Sequence, residues 1–327
     1  MTPDPRTVAE TTESELLAAI FPLLPAGDAT LVGPGDDAAV VRAPDARVVV
    51  STDVLVEDRH FRRDWSTGFD VGWRAAVQNL ADAAAMGARP TSLVVSLVVP
   101  GDVRVDWVTG LARGLAAACA ASGAAVVGGD LSSGPVIVVA VTVHGDLEGR
   151  TPVLRSGARA GDVVAHAGRR GWSAAGLALA GVGRASLGVD PEDQDEATAA
   201  YLRPDPPISA GAVAARAGAT SMLDLSDGLL RDAGRVARAS SVRIDLDREA
   251  FADDAAGLRD AALAVAAEDP GPYAPAGADA WRGYVDEWVL TGERTTACWP
   301  RSPPTRRCPS RSARWAGCSR RPAASQG

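Results

Sequence analysis

Three valine-rich runs alternate with long small-residue stretches between residues 47 and 143, and this alternation constrains the fold more than any other feature. Arg47 to Thr52, Thr91 to Val99 and Pro135 to Val143 ("PVIVVAVTV") are short and β-branched, which reads as strands. Phe69 to Met86 and Val105 to Ser122 are long, Ala-rich and free of proline, which reads as helices. Glu13 to Leu24 adds an N-terminal helix with helical spacing of its apolar residues. The alternation predicts an α/β (α+β) domain over residues 1–149.

A second α/β unit is expected over 150–293, opening at "RSGARAGDVV". Its elements read as a strand from Asp162 to Ala167, a helix from Ser173, and a turn at "LRPDPP", Leu202 to Pro207. A helix from Ile208, a strand running into Asp224, a helix after Ser226 and a strand from Val242 to Leu246 follow. A chain of 327 residues is long enough for two such cores.

Charge narrows the function classes. The net charge of −8 argues against nucleic acid as a partner. All 33 basic residues are arginine, so classes that need a lysine are excluded: P-loop enzymes, protein kinases and pyridoxal enzymes. No apolar run approaches the roughly 18 residues that span a bilayer, so no membrane partner is expected. Met1-Thr2-Pro3-Asp4-Pro5 has no signal-peptide character, and a cytoplasmic location follows as the expectation.

The acids recur in one kind of setting. "VGPGDDAAVV" carries Asp36 and Asp37 where a phosphate-cradling loop would carry a lysine. "STD" puts Asp53 at the end of a strand, after Ser51 and Thr52. "NLADAAAMGA" places Asp82 in an apolar helix, and "GGDLSSG" puts Asp130 after Gly128 and Gly129 at a strand end. "DLSDGL" sets Asp224 and Asp227 around a strand-to-helix turn. Each has an ordinary alternative, since Asp beside Gly is a turn residue and Ser226 or Asp227 can cap a helix. Asp82 is harder to explain that way, because an acid among apolar residues is costly unless paired or metal-bound. Five carboxylate sites with hydroxyl and glycine neighbours suit Mg²⁺, which bridges carboxylates to substrate phosphates. A phosphate-facing loop is then acidic because it reaches phosphate through metal.

In this order, "GPGDDAAVV", "STDVLVEDRHF", "NLADAAAMGA", "GGDLSSG", "RSGARAGD", "LRPDPP" and "DLSDGL" resemble the thiamine-monophosphate kinases, within the aminoimidazole-ribonucleotide-synthetase-like superfamily. The resemblance covers about residues 11 to 293. It implies a two-domain fold in which N-terminal sheets pair across a homodimer, with ATP and Mg²⁺ bound and thiamine phosphate as acceptor. Asp37, Asp53, Asp82, Asp130, Asp224 and Asp227 would hold Mg²⁺, with Ser51 and Thr52 adding oxygens. Gly129, Asp130, Arg155 and Ser226 would contact ATP, and His60 and Glu293 the thiamine phosphate. A phosphate acceptor is already largely ionised at neutral pH, its second pKa being about 6, so no general base is needed. The sister aminoimidazole ribonucleotide synthetase, and a chain that binds Mg·ATP without completing transfer, stay open. Selenophosphate synthetase does not fit, because no cysteine precedes Cys119.

The pattern breaks after Glu293. All 41 acids lie at or before it, whereas residues 294–327 hold eight arginines, no acid, and Cys298, Cys308 and Cys318. Cysteines ten apart without a nearby histidine do not make a zinc site. GC-rich codons for "RTTACWPRSPPTRRCP", read two bases on, can spell "DHGVLATFPPDAALP", the kind of sequence the family has there. A shifted reading frame and a tail without order are therefore expected, against a native basic tail as the alternative.

Overall fold

The computed structural model describes residues 4–35, 38–189, 191–269, 271–273 and 279–292, together with the backbone of Ser319–Arg320. In chain order it contains α1 (Glu13–Ile20), β1 (Thr30–Val32), β2 (Val40–Val41), β3 (Val49–Val56), α2 (Gly68–Ala85), β4 (Arg89–Val99), α3 (Val105–Ala120), β5 (Ala125–Ser133) and β6 (Val138–Asp146). There follow α4 (Trp172–Gly181), α5 (Glu196–Leu202), α6 (Ser209–Arg216), α7 (Leu229–Ser240), β7 (Val242–Arg243), α8 (Ala252–Gly257), α9 (Arg259–Glu268), α10 (Ala280–Thr291) and β8 (Ser319–Arg320). Contacts divide the chain into two units. One comprises Met1–Pro152, Leu187–Gln194 and Leu202–Gly218; the other comprises Val153–Ser186, Asp195–Tyr201 and Ala219–Gly327. Two late segments, one of them carrying α6, thus return to the first unit, which a single break at 149/150 does not include.

The first unit is a four-stranded sheet in the order β3-β6-β4-β5. β6 runs antiparallel to both β3 and β4, whereas β4 and β5 are parallel and joined through α3. Strand periodicity puts Leu93, Val95, Leu97 and Val99 of β4 on one face with Val139, Val141 and Val143 of β6, and all are buried. They form one core with Val71, Ala75 and Leu80 of α2 and Val108, Leu111 and Leu115 of α3. On the opposite face Val50 and Val54 of β3 remain exposed.

α2 and α3 approach closely because their contact is built from glycines. A Cβ added at Gly72 would lie 2.0 Å from the Leu111 carbonyl oxygen, and one at Gly114 would lie 2.1 Å from that of Phe69. Neither obstacle is a movable side chain. Gly72→Ala should therefore destabilise the protein by about 2 kcal/mol, the middle of the range for overpacking. An unchanged thermal midpoint would mean that the helices have room to part.

Local pattern and structure diverge in instructive places. The helix expected to reach Leu24 stops at Ile20 and continues as a 3₁₀ turn, Phe21–Leu23, because Pro22 has no N–H to donate. Asp53 and Asp130 lie within β3 and β5, not at strand ends. The strands expected at Asp162–Ala167 and into Asp224 do not form, and the one at Val242–Leu246 shortens to Val242–Arg243. Val163 is 90% exposed, and its segment has no ladder partner among the described residues. The second unit, as described, is mainly helical, with Leu179, Leu229, Phe251, Leu258, Val265 and Trp288 in its core. Apart from β8, which pairs with β7, the expectation for the tail lies outside the described residues.

Candidate active site

In the first unit the site is built on α2 and the β3 edge. Asp70, Arg74, Gln78 and Asp82 recur every four residues, so they follow one slowly winding face of α2. The first three are buried and Asp82 is half-buried. Ser51 on β3 donates its hydroxyl to Asp82 Oδ2 at 3.0 Å. Asp53, two residues further along β3, lies on the same face of the sheet and is exposed. Ser51 and Asp82 are thus in contact, and Asp53 shares the face of the β3 edge that Ser51 presents.

Arg74 ties that helix to the turn after β3, donating to the His60 carbonyl at 3.1 Å. The turn "VEDRHF" is held from several sides. The Val56 N–H donates to His60 Nδ1 at 3.0 Å, and the buried carboxylate of Glu57 accepts the Ile137 N–H at 3.0 Å and pairs with Arg63. Phe61 is buried and stacks on Trp107. With Nδ1 accepting, neutral His60 carries its proton on Nε2 and presents a donor there.

The "LRPDPP" motif is a strap on α2 rather than a free turn. Arg203 donates to Asp70 Oδ1 at 2.8 Å and to Gln194 Oε1 at 2.5 Å. Trp73 Nε1 donates to the Pro204 carbonyl at 2.8 Å. Asp70 in turn closes a capping box at the start of α2, accepting from the Thr67 N–H and hydroxyl. Sequence reading missed Asp70, Arg74 and Gln78, although their four-residue spacing through an Ala-rich helix was there to be seen.

Other expected residues fall elsewhere. Thr52 alternates to the opposite face from Ser51 and donates its hydroxyl to the Val141 carbonyl at 3.0 Å. Gly129 shares a row with Asp53 through Val141 and Val95, but Asp130 shares the next row with Val54, Ala140 and Ser96. Asp130 thus faces away from Asp53, on the other edge of the sheet, about 14 Å off at three strand spacings. Its carboxylate accepts from the Ser132 hydroxyl at 3.2 Å. Gly129 has a packing reason of its own, since a Cβ there would lie 1.9 Å from the Val95 carbonyl oxygen.

In the second unit, Arg155 opens a 3₁₀ turn, Arg155–Gly157, and its side chain is exposed. The Arg155 carbonyl accepts from the Ser240 hydroxyl at 2.7 Å and from that of Ser221 at 3.0 Å. The "DLSDGL" loop is fastened by Asp232, a residue the motif reading did not include. Asp232 Oδ2 accepts the Ser226 and Asp227 N–H groups at 3.0 and 2.9 Å, and Asp227 pairs with Arg235. Burial pushes the Asp232 carboxyl above its ordinary range, opposed by those two backbone donors and Arg235, while the nearby Asp224 charge adds to the rise. Asp37 and Glu293 lie outside the described residues.

All the donors of the proposed metal set are oxygens, as a hard cation requires. Among the described residues no group of three or more His, Cys, Asp or Glu side chains is arranged to hold a metal ion by itself. Mg²⁺ needs only one or two carboxylates beside substrate phosphates, and the Asp53 and Asp82 edge is compatible with that demand. No described helix is long and apolar enough to cross a membrane.

Comparison with known proteins agrees with this architecture. The family described as AIR synthase related protein, N-terminal domain, matches residues 35–147. A thiamine-monophosphate kinase of Mycobacterium tuberculosis is 49% identical over 262 residues, covering 80% of this chain and 72% of the relative. The crystal structure of thiamine-monophosphate kinase from Stenotrophomonas maltophilia K279a superposes with a TM-score of 0.66 at 28% identity, covering 87% of this chain and 84% of that one. A structure of AaThiL complexed with AMPPCP and TMP superposes at 0.62 with 29% identity, covering 79% and 76%. By the extent of this shared sequence, the chain belongs to the thiamine-monophosphate kinase family.

Proposed function

We propose that the chain transfers the γ-phosphoryl group of ATP to thiamine phosphate, giving thiamine diphosphate and ADP. The observation that carries this reading is the 49% identity to a thiamine-monophosphate kinase over 80% of the chain. An oxygen of the acceptor phosphate forms the new bond to the γ-phosphorus, and the bond from that phosphorus to the bridging oxygen of ADP breaks. The acceptor is ionised at neutral pH, so the site must position and neutralise charge rather than remove a proton.

Asp53 and Asp82, with Asp37, Asp224 and Asp227, are assigned to Mg²⁺, which when bound neutralises phosphate charge, and Asp130, on the far edge and opposite face of the sheet, to a separate Mg²⁺ contact. The Ser51 hydroxyl orients the Asp82 carboxylate. Gly129, Asp130, Arg155 and Ser226 are assigned to ATP, and His60 and Glu293 to thiamine phosphate. His60 Nδ1 is already an acceptor for the Val56 N–H, which supports the ring as an Nε2 donor to an anion rather than as a base. The exposed Val50 and Val54 on the open face of the sheet support pairing with a second copy. The enzyme is assigned to the cytoplasm.

ADP release with thiamine phosphate, thiamine and formylglycinamidine ribonucleotide as acceptors tests the assignment. Turnover with thiamine phosphate alone is expected. Preference for the ribonucleotide would replace the kinase with the sister synthetase. The composition change after Glu293 favours one second reading, an Mg·ATP-binding chain that does not finish transfer. It would show AMPPCP binding without ADP release.

A further inference from the structure

We propose that Asp232 is a positioning residue for nucleotide binding: its buried carboxylate holds the Ser226–Asp227 backbone in place. The proposal rests on the assignment of Ser226 and Asp227 to Mg·ATP. Asp232 sits in the first turns of α7 and is only 2% exposed. One of its oxygens accepts both loop amides, Ser226 at 3.0 Å and Asp227 at 2.9 Å. The other accepts from Arg235 Nη1 at 2.7 Å, and Arg235 Nη2 reaches the Asp227 carboxylate. The Asp232 N–H itself donates to the Gly228 carbonyl at 3.0 Å. One acid thus fixes the loop backbone directly and, through Arg235, the Asp227 side chain.

These are hydrogen bonds to a charged acceptor with little access to water, so the loop is set before any nucleotide arrives. Asparagine at 232 has nearly the same shape. It keeps one oxygen for the loop amides but puts an amide N–H₂ where the second carboxylate oxygen stood, facing Arg235. A purely structural acid would, when replaced, lower stability and leave substrate constants alone. A positioning acid changes the nucleotide constants and spares the other substrate.

The test uses the full chain with Mg²⁺ and compares wild type with Asp232→Asn. In the wild type without nucleotide, the Ser226 and Asp227 amides should be protected from hydrogen exchange. In the variant that protection should fall, because the remaining oxygen is neutral and the new N–H₂ opposes Arg235, and KM for ATP should rise about tenfold to a hundredfold, the weight of a hydrogen bond to a charged group. KM for thiamine phosphate should stay within about twofold, as expected for a separate subsite. Free exchange of both amides in the wild type overturns the proposal. So does a variant that melts earlier with unchanged constants for ATP. If Asp232→Asn does not fold, the wild-type exchange rates decide. If the wild type releases no ADP with thiamine phosphate, the assigned activity fails, and AMPPCP dissociation constants of the two proteins replace the KM comparison.

Discussion

Asp53→Asn is expected to lower ADP release with thiamine phosphate by about a hundredfold or more, the scale seen when one electrostatic contact to a developing charge is removed. The substitution keeps side-chain volume and removes a carboxylate from the exposed edge of β3. Val141 and Val95, its neighbours in the same row across the sheet, are buried and unaffected, so the fold should hold. The loss should be partly relieved by raising Mg²⁺, because the remaining Asp82 can still attract the ion. Undiminished turnover at low Mg²⁺ would return Asp53 to the role of a surface strand residue. Thermal unfolding measured on the same sample separates lost chemistry from lost structure.

Arg203→Leu should destabilise the protein by about 3 kcal/mol, the lower end for breaking a buried ion pair by removing one partner. At 2–4 °C for each kcal/mol in a unit of this size, the midpoint should fall by about 6–12 °C. Asp70 is 3% exposed and would keep its charge without its guanidinium. The Thr67 donors and the N-terminal end of α2 offset part of that cost, which places the estimate at the low end. Adding Asp70→Asn to Arg203→Leu should recover most of the loss, since the uncompensated charge is then gone. A cost under about 1 kcal/mol would mean that the pair behaves like one at the surface.

The first unit was largely legible in the sequence. Valine runs and Ala-rich stretches define β3, β4, β6, α2 and α3, because a strand with one buried face and a helix with one buried stripe carry their periods locally. The acidic motifs were legible too, and Ser51 and Asp82, 31 residues apart, meet through a hydrogen bond. Asp70 and Arg203 lie 133 residues apart and meet only after the chain has folded back. No local pattern specifies that partnership.

The second unit shows the limit from the other side. "GDVVAHAG" has strand-forming valines, yet a strand exists only where another backbone supplies its hydrogen bonds, and the described residues supply none to it. Asp232 is, by sequence, one acid among many in the second unit, and only the folded chain brings its carboxylate under the Ser226 and Asp227 amides. By sequence Asp130 belongs with Asp53, because both follow β-prone or Gly-rich runs. Sheet order and the alternation of side chains put them on opposite edges and opposite faces. The sequence by itself determined the main helices and strands of the first unit and which chemical groups the chain carries, since both depend on neighbours a few residues away. Tertiary structure alone decided which of those groups share a face and that Arg203 neutralises Asp70, because those are properties of strand order and of segments 133 residues apart.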